Sequence, residues 1–593
     1  MKQIKFILIS LSSILIFSCE AYLDKVEDSG ITKDEVFSNY TTFLGHLDYA
    51  YKGLFDYHLS SQNTAISTVS DQFQCPSTTA WQDYAQYVNT GLYDNKAGAF
   101  EVGWSSGNGY GQAATFYNAM AALRVVNRCI EEAEVSPILT AGQQKEITGQ
   151  SYFLRAYYHF ELIKRYGGMP WIDRVFEADE DLDLPKESYE FITQKIVEDC
   201  ERAIELLPAS RSGFTFGRAT ATAAYMLKST ALLYDMSPTM NAVNGYSLSY
   251  NQTKALEVAK AAAETIAFAE KNGFSLHNGS TIDDYSNIFY SREDIVSTES
   301  IFFRLSKGFV GWGGTLKQLY VPRSFGVNSN RYTLATQNLV DMFETTNGLA
   351  IEDDPSYDPQ NPYKNRDPRL TYSVLYHGAE HGLDEKGKKR IIDFSIDKGG
   401  NRNANGIDYN GAGEDLKSGY YMRKFLPKTA NNWAQDGDYF MNWTYMRLTQ
   451  AYLDFAEAAN EAVGPTGQVE GSDLTALEAI NIVRARVGMP EVNAVYTSDK
   501  EIFRTRIWNE RSVELNGEFQ RWWDMRRWHI AHLSAQKSIK GVKVVRDNNT
   551  GEETFETIDV VGARRVFDEK HYWYPWPRDM IFMLENFEQN PGW

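Results

Sequence analysis

The densest run of chemically active side chains in this 593-residue sequence lies between Ile507 and Trp528. There Glu510, Glu514, Glu518 and Asp524 stand beside Arg511, Arg521, Arg526 and Arg527. Paired carboxylates are what hydrolysis of a glycosidic bond requires: one protonates the leaving group, and the other attacks or activates water, across roughly 5 to 9.5 Å. The spacing points elsewhere. Glu510, Glu514 and Glu518 recur along one helix face, and opposite charges three or four residues apart support helices. Arginine forks also hold carboxylates bidentately, so the segment reads as a structural or interface network. Among 78 acidic residues no motif singles out a catalytic pair. His-Glu-x-x-His and Walker-type loops do not occur. No catalytic residue, and no cofactor, is expected.

His377 and His381 have the spacing of zinc ligands on a helix, but Gly378 between them argues for a loop. The Asn/Asp-rich stretch from Asn401 to Glu414 offers the oxygen atoms that calcium takes, without EF-hand spacing, and reads as a solvated loop. No metal site is assigned. Aromatic residues are a stronger signal: they make up 14% of the chain, with 36 Tyr and 13 Trp, and hint at binding surfaces. Sugar rings present apolar C–H faces that stack on indole and phenol rings, while their hydroxyls need polar partners. Trp81-Gln82-Asp83-Tyr84 and Gly311-Trp312-Gly313-Gly314, with Tyr320 beyond, offer both. Glycine on either side of Trp312 lets its ring stand clear of the backbone. Trp104, just before a helical pattern, reads as core.

These residues need a scaffold, and repetition supplies one. Ala224-Tyr225-Met226-Leu227-Lys228-Ser229-Thr230-Ala231 parallels Ala451-Tyr452-Leu453-Asp454-Phe455-Ala456-Glu457-Ala458. Each is followed by a helix carrying Ala-Leu-Glu, at Ala255-Leu256-Glu257 and at Ala476-Leu477-Glu478. A further Ala156-Tyr157 precedes a helix from about Phe191 to Leu207. Small residues at fixed offsets let paired helices approach closely, as in tetratricopeptide-like arrays; here the pairs are scattered along the sequence. Between them run irregular excursions: Ser70 to Gly111, Gly308 to Asn330 and Gly378 to Asp438. Long connections of this kind are usually functional. The expectation is a mostly α fold with large loops and little β.

The first eighteen residues set Lys2 and Lys5 ahead of an apolar run from Phe6 to Phe17, the pattern of a secretory signal, too short for the roughly 20 residues that span a bilayer. The segment ends Leu15-Ile16-Phe17-Ser18-Cys19 and resembles a bacterial lipobox, so Cys19 is expected to carry lipid after export. Two or three acyl chains make such an anchor effectively permanent. Of the four cysteines, Cys129 and Cys200 fall in helical patterns and read as small buried residues. A net charge of −19 argues against nucleic acid or anionic lipid as a partner.

Three segments then carry a family resemblance. They are Tyr357-Asp358-Pro359 with Asn365-Arg366-Asp367-Pro368-Arg369-Leu370; the run from Arg447 to Asn460; and Ile507 through Trp528. With Phe153-Leu154-Arg155-Ala156-Tyr157, the exit Tyr166-Gly167-Gly168-Met169-Pro170 and the terminal Gln589-Asn590-Pro591-Gly592, the sequence resembles the SusD/RagB family of outer-membrane nutrient-binding lipoproteins. The resemblance covers nearly the whole chain after Cys19, with a helical-repeat part over about 19–300 and a second part over about 301–593. It implies a SusD-like fold sitting as a lid on a SusC-like, TonB-dependent barrel and delivering glycan or peptide to it. By position, it also implies that Trp81, Tyr84, Trp312 and Tyr320 form the ligand platform for an oligosaccharide. A peptide-binding member of the family and a surface glycoside hydrolase are the alternatives.

Overall fold

The structure, a computed structural model, describes residues 32–54, 66–75, 88–93, 115–177, 180, 184–289, 296–305, 322–325, 333–411, 417–428, 442–584 and 587–593. Its frame is a run of helices: α1 (Tyr40–Lys52), α2 (Thr115–Val135), α3 (Ala141–Tyr166), α4 (Tyr189–Leu206), α5 (Ala221–Met236), α6 (Gln252–Lys271), α7 (Leu448–Val463) and α8 (Ala476–Ala485). Local chemistry sets their starts. Thr140 and Thr475 each close a capping box, with Gln143 and Glu478, and Asn251 caps α6, so amide groups of the first turn find acceptors. Cys129 and Cys200 are buried in α2 and α4.

Each helix packs on the next, from α1 on α2 through to α7 on α8. The pairs that are scattered in sequence are therefore consecutive in space. The chain leaves α6 at Lys271 and returns to pack on it with α7 from Leu448, so the residues between are an insertion looped out of one continuous stack. Alanines permit this closure. Ala255, Ala259, Ala262 and Ala269 on α6, and Ala451, Ala458 and Ala459 on α7, are fully buried and leave no bulk between the helices.

α7 also carries a buried acidic row. Asp454, Glu457 and Glu461 are fully buried at three- and four-residue steps. They meet arginines of α9 (Lys500–Glu514) and α10 (Gln520–Arg527): Arg511 at 2.5 Å from Asp454, Arg527 at 2.7 Å from Glu457 and Arg504 at 2.7 Å from Glu461. The insertion is fastened the same way. Arg369 reaches Asp367, Glu510 and Glu514 at 2.7, 2.5 and 3.1 Å, and Arg447 reaches Glu299, Glu514 and Glu518 at 3.2, 2.9 and 2.7 Å.

These contacts explain the recurring motifs. Asp367 caps, and Pro368 opens, a one-turn helix ending at Ser373, which aims Arg369 at α9. Arg366 donates to the carbonyls of Val340, Phe343 and Pro362, closing the loop behind it. At the C-terminus, Asn590 donates to the carbonyls of Tyr166 and Tyr574 at 2.9 and 2.7 Å, while Gln589 brackets the backbone of Trp576.

Strands are few and short. β1 (Ser300–Arg304) pairs antiparallel with β2 (Trp443–Arg447), and β3 (Lys540–Arg546) pairs antiparallel with β4 (Glu553–Asp559). Ile396–Asp397 adds a parallel edge to β3. The stretch from Gly378 is more regular than its composition suggests, because Glu380–Leu383 and Lys389–Ile391 form a hairpin. Asp384 organises its turn by accepting from the amides of Lys386 and Lys388, both at 2.8 Å, with Gly387 at φ 75° supplying the left-handed step.

Candidate ligand-binding face

Trp81, Tyr84, Trp312 and Tyr320 lie outside the described residues, as do Cys19 and Trp104. The structure does show the residues from which their segments depart. Asp71, just before residues 76–87, accepts two bonds from Arg521 of α10, at 2.9 and 2.7 Å. Arg565 holds the same approach by donating to the carbonyls of Thr68, Ser70 and Phe73 and to the side chain of Gln74. Residues 306–321 follow β1. The last residue of that strand, Arg304, stands opposite Trp443, whose indole lies 5.1 Å from the Phe519 ring. Phe519 has left-handed backbone, φ 66°, where the chain turns into α10. Phe519 and Arg521 are near neighbours, so one short stretch holds the departure points of both segments carrying the expected ligand residues.

Aromatic packing braces this end of the molecule. Trp576 stacks on Tyr166 at 4.6 Å, and Phe116 meets both rings edge-on. Tyr93 stacks on Trp593 at 5.5 Å. Tyr93 and Phe116 flank residues 94–114, so that segment too is rooted here. The tryptophan-rich C-terminus thus works as a brace that packs on Tyr93, Phe116 and Tyr166.

Between the roots is a cleft of about 50 Å³. Tyr157, Glu161 and Lys164 of α3, Tyr234 of α5, Trp443 and Tyr445 of β2, and Trp523 of α10 line it. Its volume suits a few water molecules and does not enclose a sugar ring. Lys164 lies 2.5 Å from Glu161 and 4.9 Å from the Trp523 ring, which fixes a charged pair against an indole. A larger hollow of about 280 Å³ opens beside β1, between the α4–α5 connection and the end of α6. Phe216 and Phe303, 4.9 Å apart, form its apolar wall, and Arg211, Asn272 and Thr298 its polar one. That volume approaches the roughly 300 Å³ at which ligand pockets begin. Neither cavity was legible in the sequence. Phe216 and Phe303 stand far apart, and only the proximity of Trp443 and Tyr445 to the motif at Arg447 hinted at the cleft.

The acidic residues of the third motif are committed to cations. Glu514 accepts from Arg369, Arg447 and Arg486. Burial works to raise its pKa, but these three guanidinium charges and Lys424 outweigh it and hold the carboxyl well below the usual range. Glu457 is likewise buried, and Arg527 together with its other donors brings it down to about 2. Both are fixed anions, unsuited to giving a proton.

His377 and His381 serve different neighbours. His377 Nε2 bonds Glu553 at 3.0 Å, whereas His381 is buried beside the Phe325 ring. In the Asn401 loop, Asn401 caps a 3₁₀ turn, Asn405 accepts from the Asp397 amide, and Asp408 accepts from the amides of Ser324 and Asp393. These side chains shape turns, and Glu414 lies outside the described residues.

The architecture is a stack of paired helices with an insertion between α6 and α7. Comparison identifies the family. The family model described as "SusD family" matches residues 315–593, and the model described as "Starch-binding associating with outer membrane" matches residues 21–233. The chain belongs to the SusD/RagB family, which associates with the outer membrane. Its fold is similar to a SusD-like protein from Bacteroides fragilis at 24% identity and TM-score 0.72, covering 95% of this chain and 99% of that one. A SusD-like carbohydrate-binding protein from the same species matches at 20% identity and TM-score 0.64, covering 93% and 100%. Surface glycan-binding protein A from Bacteroides fluxus matches at 19% identity and TM-score 0.60, covering 93% and 99%. No curated protein sequence matches. No helix among the described residues is long and apolar enough to cross a membrane.

Proposed function

We propose that the protein captures an oligosaccharide at the cell surface and passes it to a SusC-like, TonB-dependent transporter, with lipid on Cys19 holding it at the outer membrane. The observation that supports this most is the shared root of the excursions. Arg521 bonds Asp71, ahead of the segment bearing Trp81 and Tyr84, and Phe519 packs on Trp443, which stands opposite the end of the strand that leads to the segment bearing Trp312 and Tyr320. Stacking on those rings gives affinity, hydrogen bonds from neighbouring polar groups give selectivity, and no covalent step is required. The names of the Bacteroides relatives, which include carbohydrate and glycan binding, agree with this reading.

Titration of glycan and peptide pools into the purified protein tests it. The protein with Trp81→Ala and Trp312→Ala together should bind glycan at least tenfold more weakly, about 1.4 kcal/mol, with its melting temperature little changed. Unchanged affinity would move the ligand elsewhere, and binding of peptides alone would replace the glycan reading.

A further inference from the structure

We infer that His529, His532 and Glu569 form a binding site for one divalent transition-metal ion, with zinc the best fit. Helix α10 ends at Arg527, and His529 adopts the left-handed region at φ 62°, which few residues other than glycine enter. This turn sets the His529 and His532 rings side by side, 5.1 Å between centroids. The 3₁₀ turn Glu569–Tyr572 presents Glu569 to them. One ligand atom from each of the three residues lies within 4.8 Å of the others, and His529 Nε2 is 3.4 Å from Glu569. Tetrahedral zinc with bonds of about 2.0–2.1 Å holds its ligand atoms about 3.3 Å apart. One edge of the tetrahedron is thus in place. The side chain of Glu569, 73% exposed, is free to rotate and close the rest.

A second, independent feature is the anchoring of the other ring nitrogens. His529 Nδ1 lies 3.1 Å from the Thr239 hydroxyl, which itself donates to the Arg526 carbonyl at 2.6 Å. His532 Nδ1 lies 2.6 Å from the Tyr572 hydroxyl. With the proton on His529 Nδ1, the Nε2 lone pair of that ring is left for a metal, the arrangement that outer partners impose on metal-binding histidines, and the Tyr572 hydroxyl holds the His532 ring in place. Tyr572 also stacks flat on His529 at 4.0 Å and fixes its plane. A plain ion pair between His529 and Glu569 would make no use of His532 or of its anchor. Two imidazoles and a carboxylate suit zinc and leave a fourth position for water, whereas calcium and magnesium prefer oxygen shells. Bound metal would join the end of α10 to the 3₁₀ turn Glu569–Tyr572.

The test uses untagged protein stripped with chelator, titrated with zinc chloride by calorimetry and with cobalt(II) by visible absorption. The expected result is one ion per chain, a rise in melting temperature, and tetrahedral cobalt bands. His532→Gln and Glu569→Gln should each weaken binding at least tenfold with an unchanged circular dichroism spectrum, while His377→Gln leaves it intact. Absence of saturable uptake, or a loss smaller than tenfold in either variant, would overturn the site.

Discussion

Helix α7 meets two kinds of neighbour. Where it packs on α6, both helices are rich in buried alanine, and Tyr452, bonded to Glu270 at 2.5 Å, is a polar link. Towards α9 and α10 it offers Asp454, Glu457 and Glu461 to three arginines. The first face is generic, since any helix with small residues at the right offsets can close on another. The second is selective. A buried carboxylate deprived of its partner costs several kcal/mol, so a slipped register is penalised there and tolerated on the alanine face. The array therefore supplies extent, and the charged face fixes where α9 and α10 sit upon it.

Acid should separate the two faces most strongly. Glu457 is brought down to about 2 in the fold and Glu514 is also lowered, against an ordinary value of 4.5, whereas burial raises Asp454 and offsets part of their effect. A carboxylate with a lowered folded pKa contributes stability that is complete above its unfolded value and is lost as pH falls through the folded one. The charged face should thus fail between about pH 4.5 and 2. Trp508 and Trp528 report on it, stacked at 4.6 Å with the Trp528 indole donating to Glu457. Their fluorescence should change before helical circular dichroism is lost. Coincident transitions would mean that the two faces melt as one.

A single substitution should act in the same direction at neutral pH. Arg527→Met removes the fork from Glu457, and breaking one side of a buried pair costs about 3–5 kcal/mol. Adding Glu457→Leu should restore at least half of that loss in denaturant unfolding, because the uncompensated charge is gone. If the double variant is no more stable than the single one, the ion pair is contributing more than mutual neutralisation.

The contrast also explains what could be read from the sequence. The helical units were legible because their small residues recur at offsets that only a helix makes meaningful, and Phe191 to Leu207 lies within one residue or two of α4. The network around Glu510 and Glu514 was legible as a network, since its spacing fits a helix face. Its partners were not: Asp454, Glu299 and Asp71 lie far away in the chain, and nothing local marks them. The scattered helix pairs concealed their own continuity, because α6 and α7 meet only after the insertion is looped out. The histidines show the same limit. His377 and His381 had a helical ligand spacing, but His381 sits on a hairpin strand and His377 in the turn before it, with separate neighbours, whereas His529 and His532 gain their third partner from Glu569. Of the candidate ligand-binding face, the aromatic segments could be proposed from composition and from position within the resembled family, but the contacts of Phe519 with Trp443 and of Arg521 with Asp71 depend on tertiary structure.

The alanine face should show the smallest and most local response. Ala262 is fully buried on α6, and extra methylenes forced into a packed site cost about 1–3 kcal/mol, so Ala262→Leu should lower stability by that amount. Stacked repeats interact mainly with nearest neighbours, which confines the disturbance. Amide hydrogen exchange should quicken in α5, α6 and α7 while amides around Arg369 and Glu514 keep their protection. Faster exchange throughout would show that the array transmits strain into the charged face, and the two sides of α7 would then have to be treated as one cooperative unit.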